Sequence, residues 1–275
     1  MDQVQGSFFG QLKKRRRRLV KQTGKTFIRS MSEFLGRQSL VPDTPVLDTS
    51  AFPFTRTLEA NWEAVRDEAR SILQHRESIP SFDEVSPDQK RISKGGSWRT
   101  FFLFGFGEKL AKNCAQAPET TRLLEQIPGI QTAWFSILAP GYHIPAHRGV
   151  TKGILTCHLG LIIPEQAERC RIRVEDEILV WRPGKTLMFC DGYDHEVWND
   201  TDEERTVLLI QFDRPMRLPG RLFSKAFVGV LKMTAFFKEP KKNMASFEDR
   251  FEAATKRANA ALEDMSTPSG GPPQV

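Results

Sequence analysis

No stretch of this 275-residue chain approaches the ~18 consecutive apolar residues of a membrane-crossing helix, so none is expected. Nor does an apolar run of ~7–15 residues follow the basic cluster Lys13 to Arg18, as it would in a secretory signal. Cysteine is scarce: Cys114, Cys157, Cys170 and Cys190 form no CxxC pair. That spacing excludes a zinc ribbon and a disulfide framework, and reads as reduced thiols in a reducing compartment. These absences predict a cytoplasmic protein. What is present excludes wholesale disorder: 20 Phe and 39% hydrophobic residues stand beside 27% charged ones. The length suits one large domain or two small ones.

The formal net charge of +6 is unevenly placed. Residues 1–31 carry nine Lys/Arg and one acid (+8), and residues 214–242 carry eight and one (+7), which leaves −9 for the rest of the chain. Two basic segments around an acidic body are not the uniform coat of a nucleic-acid binder.

Along the chain, residues 1 to about 38 read as a basic helical segment, with apolar side chains from Phe8 to Phe34 at roughly helical spacings and Gly24 interrupting them. The Pro- and Thr-rich stretch 39–57 reads as an extended connector. A helix is expected over 58–76, with Leu58, Trp62, Val65, Ala69 and Leu73 on one face, and a short one over 119–126 before Pro128-Gly129. Seven short apolar runs follow, at 132–138, 154–164, 170–175, 177–182, 185–191, 195–199 and 205–213. Pro-Gly at 140–141 and 183–184, and Asp-Gly at 191–192, punctuate them. This pattern predicts a mainly β protein with flanking helices, its core a double-stranded β-helix of the jelly-roll or cupin type over about 132–213. The expected division is 1–57, 58–213 and 214–265, with helices at 221–237 and 246–264 and a disordered tail at 266–275.

Four of the five histidines, His143, His147, His158 and His195, fall within 53 residues of this β block. Imidazole is a common transition-metal ligand, so the cluster points to a metal site; histidines also cap strands and satisfy buried polar groups. His147 is placed in a turn and His195 at the head of a strand, where distant segments of a β-barrel can meet. Two histidines and a carboxylate would make an iron oxygenase site, but the position two beyond His147 is Gly149. Arg205, at the head of its strand, is either a barrel-facing fork for a carboxylate or an ordinary strand-end arginine.

The stretches FSILAPGYHIPAHRG (135–149), CHLGLIIP (157–164) and WRPGKTLMFCDGYDHEVWND (181–200), with Arg205, resemble the aspartyl/asparaginyl β-hydroxylase family of iron(II)- and 2-oxoglutarate-dependent oxygenases. The resemblance runs from Trp134 to Pro215. It implies a metal site without the facial carboxylate, a glycine standing in its place, which is where Gly149 stands. It implies His147 and His195 as the iron ligands, Arg205 as the grip on the distal carboxylate of 2-oxoglutarate with Ser136 at the same end, and His158 as a hydrogen-bond donor beside the co-substrate. His147, His195 and Arg205 would be the catalytic residues. The cofactors implied are Fe(II), 2-oxoglutarate as co-substrate and O2; the reaction is hydroxylation of an unactivated C–H bond with release of succinate. Trp134 and Trp198 would be pocket walls or plain core aromatics, and His143 structural.

One departure bears on the substrate. Peptide-hydroxylating members carry an arginine two residues before the histidine of CHLGL, where this chain has Thr156; Arg148 and Lys152 are the nearest replacements. Family majority ranks an Asp/Asn-type peptidyl substrate first and a lipid acyl chain second, since related bacterial enzymes hydroxylate lipid A acyl chains. A catalytically silent barrel serving as a binding or membrane-recruitment module is the third reading. Arg214, Arg217, Arg221, Lys225 and Lys232 fall on one helical stripe beside Leu222, Phe223, Ala226, Phe227, Val230 and Phe237. Such a helix either packs on the barrel with its basic face solvated or, with residues 1–31, lies on an anionic membrane surface. The second case would make the protein peripheral on the inner face of a membrane. Nucleic-acid binding by Lys13 to Arg18 lacks an aromatic platform and is not expected. The sequence carries no signal of oligomeric state.

Overall fold

The computed structural model describes residues 30–266. Most of the basic N-terminal segment and nearly all of the tail lie outside them. The first described element is a helix over residues 30–37, α1. Eleven strands follow in two antiparallel sheets: β1 (Val46–Leu47), β2 (Trp98–Gly105), β3 (Glu108–Lys109), β4 (Ile130–Leu138), β5 (His143–His147), β6 (Ile154–Ile162), β7 (Cys170–Val174), β8 (Glu177–Val180), β9 (Thr186–Phe189), β10 (His195–Asn199) and β11 (Arg205–Asp213). The large sheet runs β1-β9-β6-β11-β4-β2-β3 and the small one β5-β10-β7-β8. This is a mainly β, jelly-roll core with flanking helices.

The seven apolar runs are β4 and β6 to β11. Strands β4, β6 and β11 read as continuous runs because the large sheet is buried on both faces, whereas β7 and β10 of the small sheet alternate between buried and half-buried residues. Alternation sends Ala133, Phe135 and Ile137 of β4, Leu155, Cys157, Leu159 and Leu161 of β6, and Leu208, Ile210 and Phe212 of β11 outward. There they pack on helices α2 (Phe54–Ala60), α3 (Trp62–Leu73), α5 (Ala111–Ala115) and α6 (Pro118–Leu124) through Leu58, Val65, Ala69, Ile72, Cys114, Leu123 and Leu124, while the short α4 (Phe82–Val85) sets Phe82 against Trp98 of β2 at 4.3 Å. The residues between them face the small sheet, and there the polar ones gather. Gly141 (φ 65°) and Gly184 (φ 71°) give both Pro-Gly turns the left-handed residue they require. All four cysteines are buried and free.

Several elements differ from expectation. The single helix over 58–76 is two helices, because the Asn61 side chain donates to Thr57 O (2.8 Å) and its backbone leaves helical geometry (φ −116°, ψ 14°). The connector 39–57 is partly ordered: it contributes β1 and most of α2, and Phe52 and Phe54 meet Phe212 edge-on at 5.6 and 5.1 Å. Strand β2 extends the large sheet outside 132–213. The His147 segment is strand β5, not a turn. At the C-terminal end the helices are α7 (Leu218–Lys232) and α8 (Ala235–Ser266), the latter running through Pro240. Arg214 lies before α7, fully buried, donating to Ser39 Oγ (3.1 Å) and Pro42 O (3.3 Å), so it leaves the basic stripe.

Candidate active site

A cavity of about 260 Å³ opens between the sheets, and the expected residues His147, His195, Arg205, Ser136 and His158 all line it. The two sheets contribute different chemistry. On the small sheet, His195 and His147 are Cα partners, their rings 4.1 Å apart. Val197 pairs with Ile144, so β5 spends three residues where β10 spends two. This bulge is what allows both Ile144 and His147, an odd number apart, to face inward.

Each histidine is held by a backbone carbonyl two residues upstream. His147 Nδ1 lies 2.8 Å from Pro145 O, and His195 Nδ1 lies 3.0 Å from Tyr193 O. A carbonyl only accepts, so Nδ1 carries the proton and each Nε2 keeps its lone pair. Burial holds both imidazoles below their ordinary pKa, His195 at about 4 with the neighbouring His147 adding to the effect. Two neutral, oriented imidazoles suit a first-row transition metal. Among the described residues no group of three or more His, Cys, Asp or Glu converges on a metal position.

On the large sheet, Arg205, Ser136 and His158 occupy inward positions of three adjacent strands. Arg205 is buried to 2% exposure, its guanidinium 4.7 Å from the Trp181 ring. Its Nη1 reaches Ser136 O (3.3 Å) and Ser136 Oγ (3.4 Å), and its Nε has no partner. Among the described residues it forms no ion pair. A buried cation without its anion is costly, on the order of several kcal/mol, so this end of the cavity fits a carboxylate. Trp98 Nε1 fixes Ser136 by donating to its Oγ (2.9 Å). Trp181 Nε1 donates to His158 Nδ1 (3.2 Å), which leaves the proton of neutral His158 on Nε2, buried and unpartnered. Burial first, then the Arg205 charge, holds His158 well below the ordinary range. Two donors, Arg205 Nε and His158 Nε2, thus stay unused at one end of the cavity.

Asp191 was not anticipated. A Cβ on Gly149 would lie 2.7–2.8 Å from its carboxyl atoms, so Asp191 fills the space that a side chain at 149 would need. Gln211 Nε2 donates to Asp191 Oδ2 (3.0 Å), and burial pushes the carboxyl up to about 7. The contact is long-range, and no local pattern announces it. Trp98 was missed with β2, although WRTFFLFG between Gly95-Gly96 and Gly107 carries a readable strand signal.

Other expected residues separate. Trp134 lines the cavity. Trp198 is on the outer face, stacked on His143 (5.1 Å) and under Arg171, while His143 bonds Glu196 (3.0 Å). Lys152 is committed to Asp43 and the Tyr193 hydroxyl, and Arg148 sits exposed at the rim beside Glu175 and Asp194. Thr156 lies in the wall with its hydroxyl unpartnered.

The model of the family described as aspartyl/asparaginyl beta-hydroxylase matches residues 59–215, more than half of the chain. A Rhizobium tropici protein named ornithine lipid ester-linked acyl 2-hydroxylase is 42% identical over 209 residues, 76% of this chain and 74% of its own length. Human aspartyl/asparaginyl beta-hydroxylase is 32% identical over 177 residues, which span 62% of this chain but 22% of that protein. Among solved structures, a Pseudomonas putida prolyl-4-hydroxylase aligns with 56% of this chain and 87% of its own at 20% identity and a TM-score of 0.36, a likeness too slight to carry an argument. On the family match and the shared sequence, this chain belongs to the aspartyl/asparaginyl β-hydroxylase family.

Proposed function

We propose that this hydroxylase-family protein is an iron(II)- and 2-oxoglutarate-dependent dioxygenase that hydroxylates an acyl chain of a lipid. The observation that carries the substrate class is the cavity wall. Beyond the histidine pair it is built from Trp134, Phe102, Leu209, Phe106, Val228, Leu231 and Met244. Its cations beyond Arg205 are Arg148 and Lys232 at the rim, and position 156 is threonine. A peptidyl Asp or Asn, ranked first on family majority, would bring polar backbone and a polar side chain into this wall, while the rim cations are already engaged, Arg148 with Glu175 and Asp194 and Lys232 with Phe106 O; burying such groups unpaired is costly. An acyl chain gains from the same wall roughly in proportion to the apolar area it buries. The name of the Rhizobium tropici relative points the same way.

His147 and His195 would hold the iron through Nε2. Arg205 and Ser136 would hold the distal carboxylate of 2-oxoglutarate, and His158 Nε2–H would donate to the co-substrate. Bound together, iron and 2-oxoglutarate would supply the activation of O2 that an unactivated C–H bond requires. The chain's own share is positioning: carbonyl-locked imidazoles, a tryptophan-braced guanidinium, and apolar walls that exclude water and align the target C–H.

The test is mass spectrometry of lipid and peptide fractions from cells with and without the active enzyme. A +16 Da product in the lipid fraction is expected. The same gain confined to peptides would overturn the substrate, and its absence from both would favour a silent barrel.

A further inference from the structure

We infer that the outward face of α7 docks this protein on an anionic lipid bilayer, with the mouth of the cavity beside the contact. This rests on the acyl-chain reading above. Helix α7 buries Gly220 and Ser224. On its opposite side Leu218, Leu222, Val230 and Met233 are 57%, 59%, 62% and 74% exposed. Ala226 and Gly229 are exposed between them, with open space around Gly229. Phe223 meets Phe34 of α1 edge-on at 5.3 Å, which carries the apolar surface onto the next helix. A stripe of this kind on a chain with a well-covered core is not a packing remnant.

Charge complementarity says what covers it. Arg221 and Lys225, four apart, edge the stripe, and no Asp or Glu occurs between Leu218 and Lys232. Among the described residues Arg221 and Lys225 form no ion pair. An apolar stripe with a basic border fits the headgroup and acyl boundary of an anionic leaflet. The basic N-terminal segment, of the same sign as this border, is a poor occupant.

Position supplies the second argument. Val228, Leu231 and Lys232, on the inner side of the same helix, line the cavity that reaches His147 and His195. One helix therefore faces the bilayer with one side and the cavity with the other. An acyl chain would pass between them without crossing bulk water.

The test uses the full chain. Binding to vesicles of phosphatidylcholine with phosphatidylglycerol, and of phosphatidylcholine alone, is measured by co-sedimentation. Turnover is measured on detergent-dispersed acyl lipid, and self-association by sedimentation velocity. Wild type should prefer the anionic vesicles. Leu222→Glu/Val230→Glu should weaken binding at least tenfold, and Arg221→Gln/Lys225→Gln by about fivefold per charge, with the effect confined to anionic vesicles. Both variants change exposed residues and should keep wild-type turnover on dispersed lipid.

Unchanged vesicle binding by Leu222→Glu/Val230→Glu overturns the proposal and places any binding outside the face of α7. A wild-type dimer that this variant makes monomeric also overturns it, with a second copy as the occupant. Vesicle binding that responds as expected, without turnover on any dispersed acyl lipid, would support the docking face and sink the substrate reading instead.

Discussion

The two ends of the cavity are built on opposite terms. At the inner end, the buried Arg205, His158 and His195 and the half-buried His147 are polar and braced by named partners, while several of their donor and acceptor positions stay unused. At the outer end, Phe106, Val228, Leu231 and Met244 offer shape and apolar surface with little polar direction. The inner end stores unfavourable energy that a charged co-substrate, as proposed, would relieve. The outer end stores little and tolerates variation. Recognition by geometry and recognition by area are thus divided within one pocket.

The largest break in this contrast should come from Arg205→Met. It should raise the 2-oxoglutarate concentration for half-maximal turnover by ~100-fold or more, since a buried carboxylate loses its only cation. It should leave the thermal midpoint of the ligand-free protein unchanged or higher, because it removes an unpaired buried charge. A large fall in that midpoint would mean that Arg205 serves the fold, not a ligand.

Gly149→Ala should be the next largest. With Asp191 atoms 2.7–2.8 Å from the new methyl, it should destabilise by about 1–3 kcal/mol. Asp191→Gly in the same chain should recover most of the loss. Urea midpoints of the two single variants and the double one form the cycle; strict additivity would contradict the proposed contact.

Met244→Trp should act only on the outer end, lowering turnover of long acyl chains several-fold while short chains and the 2-oxoglutarate requirement stay near wild type. An equal loss across chain lengths would deny the outer end its role.

The smallest effect concerns protons in the metal-free protein. His195, held at about 4 against 6.5 when unfolded, makes the unfolded chain bind more protons in that window, so stability falls as pH drops through it. His158, also depressed, acts in the same direction. Asp191, raised from 3.8 to about 7, makes the folded chain bind more protons, so its contribution falls as pH rises through that window. The two trends oppose one another. Asp191→Asn removes the second, so its urea midpoint should fall more steeply than wild type between pH 6.5 and 4; parallel profiles would contradict the assignment.

Much of this contrast was legible before the structure. Short apolar runs bounded by turn residues gave away seven strands, and the clustered histidines, with Arg205 at the head of its strand, pointed to a site in the β block; Ser136 and the part given to His158 entered through the family resemblance. Their individual roles came from the family resemblance, not from spacing. What escaped depended on contacts that no local pattern encodes. The β5 bulge behind His147 is one, the approach of Asp191 to Gly149 another, and the commitment of Lys152 to Asp43 a third. The outer end escaped for a different reason: much of it comes from β2, α7 and α8, outside the stretch that carries the motifs. On α7, periodicity revealed an amphipathic helix but not that Leu222 and Val230 face away from the barrel.

The central claim is that this inner end couples 2-oxoglutarate to oxidation of an acyl chain. It is tested most directly by succinate formation with added Fe(II), 2-oxoglutarate and O2, with and without an acyl lipid, in wild type and His195→Ala. Succinate should form with wild type, match the hydroxylated lipid one to one, and be abolished in the variant. No succinate from wild type, or full activity in His195→Ala, would contradict the account.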